Sequence, residues 1–229
     1  MHVRSDRNNS DERALEIDAS EFCGTGGAFP DAARWRRDLL LPLERSARWL
    51  RERRTTRIAL SGSYRLTTAL ALGYSLRSAT GFEIEIATRE GPWATDDRPR
   101  AIDQYPPWHI TDATALDVDC LHICVGVLRD PTQAVRAQST APAAVLSIML
   151  DQPITSARAA QSGVSAVKDA VAATVARLRP ARIALYYAGP AALAVALGHR
   201  WNSLPPTQLH EFRAEDGGYL RTAVLDTRT

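Results

Sequence analysis

Apolar residues along this chain alternate between two patterns. Short apolar runs such as RIALSG, FEIEIAT, DCLHICVGVL, AAVLSIML and RIALYYA have the length and content of strands. Between them apolar residues recur at threes and fours, the period of a helix with one buried face. Over residues 31–54 that period picks out Trp35, Leu39, Leu43, Ala47 and Leu50, with Asp31 placed to cap the start and Pro42 predicting a kink or break. The arginines of WRRDLLLPLERSARWLRERR fall mostly on the opposite face. Asp38 and glutamates are interleaved with them, which reads as a solvated face rather than a grip on nucleic acid. YRLTTALALGYSLRS and GPAALAVALGHRW are further helices, and RDPTQAVRAQS begins another with Asp130 as cap and Pro131 in its first turn. Residues 163–178 form an amphipathic helix with Val164, Val167, Val171 and Val175 on its inner stripe. EGPWATD makes a turn and a short extended return, and TQLHEF and GGYLRTAVL close the chain as strands. Strands alternating with helices predict βαβ units and a mainly parallel sheet covered on both faces. Residues 1–13 are too polar to predict fixed structure, 15–17 form a short strand or extended arm, and FCGTGGAFPDA is a plain loop without P-loop spacing or lysine.

Two of these units are copies of each other. Residues 57–78 align without a gap on residues 182–203, an offset of 182 − 57 = 125, and nine of the 22 positions are identical. The fold class is therefore α/β, two fused Rossmann-like halves forming an internal pseudo-dimer. The expected division is a flexible arm over 1–30, a first half over 31–110 and a second over 111–229, with the proline-rich residues 96–118 connecting the halves. Identity concentrates in the strand and helix body, while the turn between them reads SGSYR in one copy and YYAGP in the other. Open α/β sheets bind ligands at strand ends, beside helix N-termini whose free N–H groups attract phosphate. Candidate ligand residues are accordingly Ser61, Gly62, Ser63 and Tyr64 in the first turn and Tyr187, Ala188, Gly189 and Pro190 in the second. Gly62 and Gly189 would let a ligand approach the backbone, and Ser61, Ser63, Tyr64 and Tyr187 would bond to or stack on a base. Arg129, after the strand HICVGVL, and Trp93 are further candidates, as is Tyr219; each also reads as an ordinary surface or rim residue.

Charge and composition exclude several classes. A formal net charge of +2 gives no global field toward duplex nucleic acid or membrane. Of 28 cations only Lys168 is a lysine, and the arginine fork suits phosphate. No apolar run approaches the roughly 20 residues of a membrane span, and the first residues lack the apolar core of a signal peptide. A cytoplasmic protein is expected. Cys23, Cys120 and Cys124 are too few and odd in number for a disulfide framework. Cys120, His122 and Cys124 share one strand face, but their spacing matches no common zinc motif, so they read as core. His210 and Glu211 project to opposite faces of a strand, and the helix dipole accounts for His199 near a helix end. No GxSxG, HExxH, P-loop or GxGxxG is present. The residues therefore predict no enzyme, no metal and no cofactor.

The stretch IALYYAGPAALAVALGHRWNSLPPTQLHEF resembles the C-terminal signature of the SAVED domain. It has a strand, an aromatic–small–Gly-Pro turn, an alanine-rich helix ending in Gly and Asn, and a strand with QL and an acidic residue. ARWRRDLLLPL, RIALSGSYRLTTALALGYSL, EGPWATD and LHICVGVLRDPTQAVRA resemble further parts of that family in the same order, so the likeness spans about residues 15–225. The resemblance implies two fused CARF-like halves that sense a cyclic di-, tri- or tetranucleotide in CBASS or type III CRISPR anti-phage defence. It implies that the ligand sits where the strand ends of the halves meet, that binding promotes self-association, and that an effector domain acts with the sensor. Because only some 30 residues precede the first helix, the effector is expected to be a separate subunit or an excised domain. A ring nuclease that degrades the messenger and a sponge that sequesters it are the alternative functions.

Overall fold

The structure, a computed structural model, describes residues 2–4, 16–22, 29–97, 105–113, 118–138, 144–215 and 217–226. Two sheets are built. The smaller runs β2 (Glu16–Asp18), β1 (His2–Arg4), β3 (Arg57–Gly62), β4 (Glu83–Ile86), β5 (Trp93–Ala94), and only β5 is antiparallel to its neighbour. The larger runs β11 (Gly218–Leu225), β10 (Thr207–Arg213), β9 (Arg182–Ala188), β7 (Cys120–Val127), β8 (Val145–Leu150), β6 (His109–Thr111), parallel at its centre and antiparallel at both edges. This is the two-half, mainly parallel α/β architecture that the repeat predicts.

The structure departs from the sequence-based expectation in four places. The N-terminal segment is more than an arm, because β1 and β2 extend the smaller sheet and Ala19 and Phe22 enter the main core. A division at residue 110 would cut through β6, which pairs with β8 and belongs to the larger sheet. Pro42 does not break its helix. The turn Ala32–Arg34, capped by the Asp31 carboxylate accepting from the Arg34 N–H, runs through a π-helical stretch at Trp35–Leu40 into α2 (Leu41–Glu52). The Leu41 N–H reaches back five residues to the Arg36 carbonyl, and this wider turn accommodates a proline that has no N–H to donate. Finally, the smaller sheet is buried on one face only. Arg57 and Ala59 of β3 and Glu83 and Glu85 of β4 are exposed, while Ile58, Leu60, Ile84 and Ile86 are core, so these strands alternate in the manner of a half-buried sheet. In the larger sheet β7 and β9 are buried on both faces. Four-residue FEIE hides its glutamates within an apolar count, and only their alternation tells.

The halves are locked together by the repeat itself. Helices α3 (Leu66–Ser75) and α6 (Ala191–Arg200) are the two copies, and they cross in contact. A Cβ on Gly73 would lie 2.0 Å from the Val195 carbonyl oxygen, and one on Gly198 would lie 2.2 Å from that of Leu70. Gly73 and Gly198 are related by the offset of 125, and so are Leu70 and Val195. The crossing is therefore a pseudo-twofold axis, and only a glycine lets the two backbones come so close. The buried His199 spans the same junction, its Nδ1–H donating to the Leu76 carbonyl.

Candidate ligand-binding face

Parallel strands aim their carboxyl ends in one direction, so β7, β8 and β9 end together, with the N-terminus of α6 beside them. The turn after β3, in the first half, is joined to this end of the larger sheet through Glu211 of the second half. From the carboxyl-terminal part of β10, this buried residue accepts the N–H of Thr67 at the start of α3, at 2.8 Å. Thr67 Oγ1 lies 3.1 Å from Thr222 Oγ1, whose hydroxyl donates to the Leu209 carbonyl. Burial raises the Glu211 carboxyl above the ordinary carboxylate range, and the Thr67 hydrogen bonds oppose that rise without cancelling it. The turn after β3 is thereby held against the end of the larger sheet.

This contact corrects one expectation. The Thr67 N–H at the N-terminus of α3 is not free for an outside phosphate, because the Glu211 carboxyl already accepts it. The other copy is different. Leu60 pairs with Ile86 and Leu185 with Leu209, so the first-half position matching Glu211 is Thr88, whose hydroxyl donates to the Gly91 carbonyl instead. No side chain among the described residues caps α6, and Pro190 is its N-cap. The two pseudo-equivalent helix starts are unequal: among the described residues a carboxyl group is bonded at that of α3 and no side chain at that of α6.

The predicted turn residues fall into two groups. Gly62 and Ser63 are exposed, Ser61 and Tyr64 are half-buried, and Gly62 has φ +136°, a backbone that favours glycine. Burial lifts the Tyr64 phenol to about 12, so it stays protonated. In the second turn Gly189 and Pro190 are half-buried, whereas Tyr187 and Ala188 are buried. The Tyr187 hydroxyl donates to the Pro190 carbonyl at 2.8 Å, and a Cβ on Gly189 would meet that hydroxyl at 2.6 Å and Val127 at 3.3 Å. Tyr187 is thus a brace beneath the turn, its ring enclosed rather than presented to a base as expected. Trp93 is corrected likewise: it is a core residue paired with Ile86, with no ring face open to a base. Tyr219 is buried too. Arg129 is exposed and brought to the same strand ends, its guanidinium lying 4.3 Å over the Phe212 ring.

The opposite side of the larger sheet carries Cys120, Cys124, His122 and His210. Tyr186 lies between His210 (ring centroids 4.3 Å) and His122 (5.8 Å), and its hydroxyl is 3.2 Å from His122 Nδ1. These rings line a cavity of about 220 Å³ with Tyr219 and Arg221. Burial holds His210 down to about 4 and pushes the buried Cys124 thiol up to about 12, so both are neutral near pH 7. His210 and Glu211 do project to opposite faces, one to this stack and the other to α3. Among the described residues no group of three or more His, Cys, Asp or Glu is placed to hold a metal. Cys23 and the glycines of its loop lie outside the described residues. The role of Glu211 escaped the sequence reading, although its alternation with Leu209, which puts a carboxylate on the buried face of β10, was a usable signal.

No curated protein matches this sequence. Solved structures do. The chain is similar to the Acinetobacter baumannii Cap4 SAVED/CARF-domain containing receptor with the cyclic trinucleotide 3'3'3'-cAAA, at TM-score 0.87 and 20% identity over 99% of this chain and 51% of that one. The same receptor without a named ligand gives TM-score 0.79 and 19% identity over 98% of this chain and 49% of that one. The Moraxella osloensis Cap4 receptor gives TM-score 0.79 and 21% identity over 98% and 49%. This chain thus spans about half the length of each of these proteins. No helix among the described residues is long and apolar enough to cross a membrane. Residues 43–225 match the family model of the SMODS-associated and fused to various effectors sensor domain, and the chain belongs to that family, SAVED.

Proposed function

We propose that this chain is a sensor of a cyclic oligonucleotide messenger in anti-phage defence. The observation that carries this reading is the likeness, across nearly the whole chain, to a receptor described with a cyclic trinucleotide. The two-half fold supports it, since it gathers strand ends from both copies onto one face. The ring would sit over the turns at Ser61–Tyr64 and Gly189–Pro190, with one phosphate at the start of α6 and Arg129 as a second cation. Tyr187, Ala188 and Trp93 would support those turns from within rather than touch the ligand. Because Glu211 occupies the start of α3, the ring would be held unequally by the two halves. Binding would signal through self-association or through a separate effector, and the cytoplasm is where such a messenger would be met. The family's sensor character favours binding over cleavage, so the messenger should be recovered intact.

The test is thermal stabilisation against cyclic di-, tri- and tetranucleotides, with the same samples sized by light scattering. A ligand at about 100 times Kd adds about 2.7 kcal/mol, which moves the melting point of a domain this size by several degrees. A shift with one ring, reduced by Arg129→Ala, supports the reading, and growth in size identifies self-association as the output. No shift with any member of the panel sinks it.

A further inference from the structure

Leu128 is the one described leucine in a left-handed conformation, and it stands directly at the strand-end face. It follows the last residue of β7 with φ +61° and is 62% exposed. That backbone is sterically unfavourable for a branched side chain and is ordinarily left to glycine or asparagine. The other left-handed non-glycine residues, Arg54, Arg179 and Ser203, are polar and sit just past the ends of α2, α5 (Ala157–Leu178) and α6, where a helix has to stop. Leu128 ends no helix.

Its neighbours each have a packing or bonding partner. The Leu128 N–H donates to the Leu150 carbonyl at 2.8 Å, which fixes the turn to β8. The chain then folds back so tightly that a Cβ on Gly126 would lie 2.2 Å from the Arg129 carbonyl oxygen. Arg129 covers Phe212, and the Asp130 carboxylate accepts from the Thr132 N–H at 2.8 Å. Val127, on the other side, touches the Gly189 turn. A clamped backbone thus holds one apolar side chain out into solvent at the end of β7, one residue past Val127, which lies beside the turn that leads into α6.

We infer that Leu128 is a specificity-determining residue, the apolar platform on which one base of the cyclic oligonucleotide rests. The inference depends on the sensor reading above. It divides the ligand chemically: phosphate goes to the N–H groups of α6 and to Arg129, and the flat face of a base goes to the leucine.

The probe is 3'3'3'-cAAA, followed by the remaining rings of the panel, titrated into the full chain and its variants. Leu128→Gly and Leu128→Asn both suit the left-handed backbone, so each should melt at or above the wild-type temperature without ligand. Each should nevertheless bind the wild type's ring about tenfold more weakly or worse, whereas Leu128→Met should stay within about threefold. Glycine and asparagine variants that bind as tightly as wild type overturn the inference and leave the sensor reading intact. A wild type that binds no ring overturns both.

Discussion

His199 shows how one residue can tie two halves together and make the tie depend on pH. It is buried, its Nδ1–H serves the Leu76 carbonyl of the other half, and burial lowers it from 6.5 to about 4, with Arg200 adding to the effect and the Leu76 bond opposing it. The sign follows directly. An unfolded chain takes up the proton near 6.5, and the folded chain resists it until about 4. Stability is therefore complete above 6.5 and falls as pH drops toward 4. The loss from this residue is on the order of 2–3 kcal/mol. His210, also lowered to about 4, adds to the same slope. Denaturant melts between pH 7 and 4 should show this decline, and His199→Asn, which keeps a donor but does not titrate, should flatten it. An unchanged slope in that variant would remove His199 from the account.

At the scale of elements, the crossing of α3 and α6 is the feature most sensitive to a single methyl group. Gly73→Ala and Gly198→Ala each drive a Cβ onto a carbonyl of the partner helix, at 2.0 and 2.2 Å. Helix propensity alone would make alanine the better residue by about 1 kcal/mol. Backbone overlap outweighs that, because backbone cannot rotate aside, and a net loss of about 3 kcal/mol is expected for each variant. The effect should be similar for the two, since the pseudo-twofold gives them the same environment. Urea melts measure it, and a stabilised alanine variant would show that the helices can separate without loss. The asymmetry lies elsewhere in the same elements: Glu211 serves the start of α3, and nothing among the described side chains serves the start of α6. One duplicated helix start is braced by a carboxyl group from the other half and its copy is not.

At the scale of the molecule, the main core runs through both halves without interruption, from Ile58 and Leu72 to Leu185 and Leu197. Unfolding should therefore be a single transition, with calorimetric and van't Hoff enthalpies in agreement. Two resolved transitions would mean that the halves are separable domains. A shared core also suits a sensor whose ligand would touch both halves, since contacts made by either one are felt by a single cooperative unit.

Much of this was decided by the sequence alone. The 125-residue echo already contains the pseudo-dimer, because a repeated strand–turn–helix must fold the same way twice, and its shared glycine already marks the crossing. Apolar runs and the Asp31 and Asp130 caps located strands and helices because hydrophobic period and capping are local properties. The pairing of β1 with β3 and of β2 with β1 was not legible, since short polar strands gain their order from a neighbouring edge rather than from their own composition. Nor was the enclosure of Tyr187 and Trp93, which depends on what folds over them. The side-chain partners of Glu211, His199 and Arg129 lie 144, 123 and 83 residues away at Thr67, Leu76 and Phe212. Tertiary structure alone brings such partners together, and with them it decided which of two equivalent helix starts receives a carboxyl group.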